Sequence, residues 1–135
     1  MKVLVCDPIS QTGIEHLQQQ NGLETIVLDR CHSEEELLPI MKDVSAMAVR
    51  SETKVTKTIL EAAPEMRIVG RAGVGVDNID IEAATQNGVI VMNTPGGNTT
   101  ATCELTFSMM MALARNIPQA HGSMIAGEWN RKAFK

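Results

Sequence analysis

Residues 67–92, RIVGRAGVGVDNIDIEAATQNGVIVM, decide the fold. The stretch opens on an apolar run, Arg67-Ile68-Val69, and bends through glycines from Gly70 to Asn78. A helical segment follows from Ile79 to Gln86, with Asp77 or Asn78 placed to cap it, and Asn87-Gly88 stops it. Val89-Ile90-Val91-Met92 is a second apolar run. Both runs are continuous rather than alternating. Strands read that way when helices cover both faces of a parallel sheet.

The same unit repeats toward the N-terminus. Val3-Leu4-Val5-Cys6, Thr25-Ile26-Val27-Leu28 and Ala46-Met47-Ala48-Val49 are three more apolar runs. Between them lie helical patterns. Ile14 and Leu17 lead a first helix that ends at Asn21-Gly22. Ser33 and Glu36 form a capping box before Leu37, Leu38, Ile40 and Met41. Thr56 to Ala63 is a third helix, closed by Pro64. Five parallel strands over about the first 93 residues predict a doubly wound α/β sheet with right-handed crossovers.

After Asn93-Thr94-Pro95-Gly96-Gly97 the pattern changes. A long helix is expected from Asn98 to about Asn116, and its centre, Leu105 to Ala114, is apolar nearly all round. Such a helix is expected to be buried on all sides, against another domain, another subunit, or both. Pro118 opens a shorter helix that Gly127 ends.

Composition narrows the function classes. The 135 residues carry a net charge of −4, and 44% are hydrophobic. An acidic balance argues against a general nucleic-acid binder. No run approaches the length of a membrane span, and the first residues do not form a secretory leader. Three cysteines without CxxC spacing favour a reducing, cytoplasmic setting, and no metal-ligand spacing occurs. Cys6 is expected in the core. The charge is uneven: residues 115–135 hold Arg115, Arg131, Lys132 and Lys135 against Glu128 alone. A basic tail on an acidic body suggests a task of its own.

Ligands of open parallel sheets bind beyond the carboxyl ends of the strands. There the third run ends at Arg50-Ser51, the fourth at Arg71 before Gly73-Val74-Gly75, and the fifth leads to Asn98. Arginine presents a rigid fork of donors suited to carboxylate or phosphate. Gly73 and Gly75 leave backbone N–H groups open to an anion, and Ser51 and Asn98 add a hydroxyl and an amide. The same residues admit a plainer reading: Arg50 paired with Asp7 or Glu52, Arg71 paired with Asp77, and glycines that serve only the turn.

Other chemistries fit poorly. GVGVDN has Asn78 where a dinucleotide fingerprint needs its third glycine, and it follows the fourth strand rather than the first. Neither G-K-[ST] nor G-x-S-x-G occurs. His16, His32 and His121 show no carboxylate to orient them. A phosphoacceptor domain of similar architecture needs an aspartate where Arg50-Ser51 stands. The methionines at 109–111 read as packing.

Several segments together carry a resemblance. They are VRS at 49–51, KVT at 54–56, VGRAGVGVDNID at 69–80, EAAT at 82–85, VMNTPGGN at 91–98, and LAR with IPQA through 113–120. From about Val3 to the last residue the chain resembles the D-isomer-specific 2-hydroxyacid dehydrogenases, and most closely their branch that oxidises 3-phosphoglycerate.

The resemblance implies a flavodoxin-like substrate domain over 1–97. Over 98–135 it implies interdomain and dimerisation helices, which open an NAD-binding Rossmann domain. It implies NAD as cofactor and oxidation of 3-phosphoglycerate to 3-phosphohydroxypyruvate, the entry to serine biosynthesis. It assigns Arg50, Arg71, Ser51, Gly73, Val74, Gly75 and Asn98 to substrate, with Val74 also beside the nicotinamide. It lets Arg131 reach the phosphate in a second subunit, and it implies a homo-oligomer through residues 98–127.

The family's dinucleotide fingerprint, catalytic histidine and carboxylate-binding arginine would all lie beyond Lys135. The chain is therefore expected to be a substrate-domain fragment that holds no catalytic residue and is inactive alone. The competing readings are a non-catalytic module that binds an anion or assembles through its apolar helix, and the same domain of another D-2-hydroxyacid dehydrogenase.

Overall fold

The computed structural model describes residues 1–134. The chain forms two compact units, Met1–Gly97 and the stretch from Asn98 onward.

The first unit is a five-stranded parallel sheet in the order β2-β1-β3-β4-β5. The strands are β1 (Lys2–Val5), β2 (Glu24–Val27), β3 (Val44–Val49), β4 (Ile68–Arg71) and β5 (Ile90–Met92). The chain moves outward from β1 to β2, crosses back to β3, and then adds β4 and β5. This reversal at β1/β3 opens a crevice at the carboxyl ends of the strands. The α/β class and the five parallel strands are those the apolar runs predict.

The helices of this unit are α1 (Gln11–Gln18), α2 (Glu34–Leu37), α3 (Lys57–Glu61) and α4 (Ile81–Gln86). Each has a side-chain cap: Ser10, Ser33, Thr56 and Asp80. Several boundaries differ from the sequence reading, and the third helix is shorter than the expected Thr56 to Ala63. The second helix is a single α-turn, after which Leu38–Asp43 winds as 3-10 helix. Pro39 has no N–H to continue the α-ladder. The fourth helix starts at Ile81 rather than Ile79, and its cap is Asp80, not Asp77 or Asn78. Ile79 is held in a parallel bridge with Val55, and the side chains of Asp77 and Asn78 bond elsewhere.

The core lies on one face of the sheet. Leu4, Cys6, Met47, Val49 and Val69 meet Leu37, Met41, Ile59, Leu60, Ala83 and Ala84 from the helices. Burial pushes the Cys6 thiol up to about 12, so it sits there as a small neutral side chain. The other face is covered unevenly. Val3 and Val5 are buried, but Ile90 is 61% and Met92 is 55% exposed. The expectation that both faces are covered therefore fails at β5. Within this unit no helix follows that strand.

The second unit holds α5 (Thr99–Ala114) and α6 (Ile117–Ile125). They meet at Asn116, whose φ of 51° is left-handed, a conformation that asparagine tolerates. Pro118 opens α6, and Gly127 follows it with a φ of 79°. Neither helix contains a buried residue. Leu105, Phe107, Met109 and Leu113 are all more than half exposed. The burial expected for this helix calls for another domain or subunit, which the single chain does not supply. None of the helices is long and apolar enough to cross a membrane among the described residues.

Candidate functional site

The register of the sheet builds the site. Val49 pairs with Arg71 across β3 and β4, so Arg50 leaves its strand beside Arg71. Arg71 Nε donates to the Arg50 carbonyl at 3.0 Å. The Arg50 side chain is exposed and donates from Nη1 to the Pro8 carbonyl at 3.3 Å. Ser51 follows, also exposed. The sequence reading placed both arginines on one edge of the sheet, and they stand there as neighbours.

Arg71 lies under the glycine bend. Its side chain is only 10% exposed, and Nη1 contacts Asp77 Oδ1 at 3.2 Å. A Cβ on Gly75 would stand 2.8 Å from Arg71 Nη1 and 2.8 Å from Asp77 Oδ1. Gly75 therefore makes room for the guanidinium of its own chain. That is a different service from the open approach to an anion inferred from sequence. The pairing of Arg71 with Asp77, the plainer alternative, is present. The pairing of Arg50 with Asp7 takes another form: the Arg50 backbone N–H, not its guanidinium, donates to Asp7 Oδ2 at 2.6 Å.

The bend is pinned at its other end. The Gly73 carbonyl accepts from Thr94 N–H at 2.9 Å, and the Val74 carbonyl accepts from Asn93 Nδ2 at 2.7 Å. Among the described residues, the N–H groups of Val74, Gly75 and Val76 donate to no protein acceptor. Val74 is 42% exposed. Two guanidinium groups and three open N–H groups at one sheet edge form a donor-rich rim suited to carboxylate or phosphate. Asn93 was missed as a support of this rim, although its place at the end of the fifth apolar run was legible.

Asn98 and Arg131 belong to the second unit. Asn98 precedes α5 without a side-chain capping bond. Arg131 follows α6 in a pocket with Arg115, Ser123, Glu128 and Trp129. His16 and His121 lie on exposed helix surface, and His32 Nδ1 contacts the Arg30 carbonyl at 2.8 Å. Asp7, Cys31 and Glu52 bring ligand-type atoms within 4.8 Å of one another. Asp7 is already engaged by Arg50 and Thr53, so the group reads as a loop anchor.

Comparison with known proteins agrees with this architecture. Residues 3–130 match the model of the D-isomer specific 2-hydroxyacid dehydrogenase catalytic domain, and the chain belongs to that family. It is 51% identical over 134 residues to D-3-phosphoglycerate dehydrogenase of Archaeoglobus fulgidus, covering 99% of this chain and 25% of that protein. The chain thus spans about a quarter of the length of the curated relatives it matches. It also resembles the NAD+-bound 3-phosphoglycerate dehydrogenase of Entamoeba histolytica, with a TM-score of 0.74 and 35% identity over 85% of this chain and 39% of that one. The NADPH-dependent glyoxylate/hydroxypyruvate reductase of Sinorhizobium meliloti, in complex with NADP and malonate, gives a TM-score of 0.73 at 28% identity, covering 95% of this chain and 39% of that one.

Proposed function

We propose that this chain supplies the substrate-binding part of an NAD-dependent D-3-phosphoglycerate dehydrogenase. The observation that carries the reading is the rim at the carboxyl edge, where Arg50 and Arg71 flank the open N–H groups of Val74, Gly75 and Val76. 3-Phosphoglycerate carries a phosphate and a carboxylate, and the rim offers two separate cationic groups. Ser51 adds a neutral donor at the rim, and the family resemblance assigns Asn98 to substrate as well and Arg131 to the phosphate of a substrate in a second subunit. Identities of 47–51% to phosphoglycerate dehydrogenases over nearly the whole chain favour this substrate over other 2-hydroxy acids.

In this reading residues 1–97 are the substrate domain, and the stretch from Asn98 onward is the interdomain and dimerisation segment. NAD would supply the hydride-accepting chemistry. Of the residues present, the exposed Val74 side chain suits one face of a nicotinamide ring, and no glycine fingerprint for the pyrophosphate occurs in this sequence. The chain by itself is expected to bind anions weakly and to turn nothing over, in line with cytoplasmic metabolism that needs further residues for the hydride step.

The test is a titration of the chain with 3-phosphoglycerate, followed through the backbone amides of residues 71–77. Saturable shifts that Arg71→Ala abolishes support the reading. Shifts unchanged by Arg71→Ala remove Arg71 from the site. Equal affinity for D-lactate would move the assignment to another D-2-hydroxy acid.

The exposed apolar surface of α5 favours a second role for this segment, self-association into a homo-oligomer through residues 98–127.

A further inference from the structure

Two side chains outside the rim are spent on the loop that carries Arg50 and Ser51. Asp7 follows β1 and is 3% exposed. Its carboxylate accepts from the Arg50 N–H at 2.6 Å, from the Thr53 N–H at 3.2 Å and from the Thr53 hydroxyl at 2.6 Å. Asn78 follows the glycine bend. Its Nδ2 donates to the Arg50 carbonyl at 2.9 Å and to the Thr53 carbonyl at 2.6 Å. An acceptor-only group thus takes both N–H groups at the two ends of the loop, and a donor takes both C=O groups. Asn78 Oδ1 is buried without a partner, so only the donor end of this amide is in use.

This arrangement is costly for a purely structural anchor. Among the described residues no cation pairs with Asp7. A buried carboxylate without a counter-ion is tolerated only when hydrogen bonds replace its water. An apolar side chain at the end of β1 would leave the buried Thr53 N–H and hydroxyl unpaired and would not fix the backbone of Arg50. Ser51 and Glu52 are exposed, so the loop gains little position from packing and depends on these bonds.

We infer that Asp7 and Asn78 are positioning residues that clamp the Arg50–Thr53 loop from both sides and so aim Arg50 and Ser51 at the anion. The inference rests on the anion-site reading above. Arg71 adds to the clamp through the same Arg50 carbonyl, which couples the two arginines through one backbone atom.

The test uses the full 135-residue chain, titrated with inorganic phosphate and with 3-phosphoglycerate while the amides of residues 50–53 and 74–76 are followed. Asp7→Asn keeps the shape and turns part of the acceptor into a donor, and Asn78→Ala removes the donor. Each is expected to weaken anion binding about tenfold or more. The core variant Ile59→Val, in α3 and outside the rim, is expected to lower the melting temperature and leave anion affinity unchanged. If Asp7→Asn fails to fold, Thr53→Val takes its place, since it removes one donor to Asp7 and keeps the shape.

A wild-type chain that shifts with neither anion overturns the site reading itself. Wild-type binding together with unchanged affinity in Asn78→Ala and the Asp7-side variant overturns the clamp alone. Affinity that falls equally in Ile59→Val reduces the clamp to general stability and also overturns it.

Discussion

The first 97 residues and the stretch from Asn98 onward are both rich in apolar side chains, and they treat them in opposite ways. In the first, Leu4, Met41, Val49, Ile59 and Val69 have no exposed surface. In the second, Leu113 is 78%, Ile125 is 74% and Trp129 is 77% exposed. The difference lies in how the chain returns on itself. Each strand–helix–strand crossover lays a helix across its own sheet and shields it. Two helices joined at one turn shield at most one stripe of each, and a helix apolar all round keeps the remainder in water. Burial is thus a property of the connection, not of the composition.

The largest expected contrast is in folding energy. Ile59→Ala empties a fully buried position and is expected to cost about 2–5 kcal/mol in urea unfolding. Leu113→Ala is expected to stay within about 0.5 kcal/mol for the same transition. Equal losses would break the comparison.

Association comes next. An isolated helix the length of α5 is marginal in water. Dilution is therefore expected to lower helicity while the sheet signal holds, and Met110→Lys with Leu113→Lys should abolish self-association in sedimentation. A monomer with a fully formed α5 at high concentration would count against the partnered-helix reading.

Within the first region a finer contrast separates packing from the rim. Gly75→Ala pushes a methyl against Arg71 and Asp77. It is expected to weaken phosphate binding several-fold at a stability cost of about 1 kcal/mol, and unchanged binding would detach the bend from the site.

The smallest effect is electrostatic. The Arg30 guanidinium, with the Ser33 N–H behind it, holds the Glu36 carboxyl at about 2 against an ordinary 4.5. The folded value lies below the unfolded one. Its contribution is therefore complete above about pH 4.5 and fades as the pH falls toward 2. Glu36→Gln should flatten that part of the acid-unfolding curve slightly, because the pair is exposed. An acid limb identical to wild type would remove the pair from the account.

The strands were legible because buried parallel strands leave continuous apolar runs, and the capping box at Ser33 was legible because capping is local. Pro39 was equally local, and its effect on the second helix was readable but overlooked. The shift of the fourth cap to Asp80 was not readable. It follows from the long-range bridge between Val55 and Ile79 and from the use of Asp77 and Asn78 by Arg71 and Arg50. The sequence offered Arg50 as a partner of Asp7, but the bonds to the Arg50 and Thr53 N–H groups were not readable, since those partners stand more than forty residues away.

The sequence alone determined the five apolar runs, their crossovers and the residue types at the strand ends, because periodicity and turn chemistry act between near neighbours. Tertiary structure decided which of those residues meet. Register set Arg50 beside Arg71, the glycine bend closed over a guanidinium, and the open face at β5 kept Ile90 and Met92 in water. Such outcomes depend on distances between strands far apart in the chain, which no local pattern encodes.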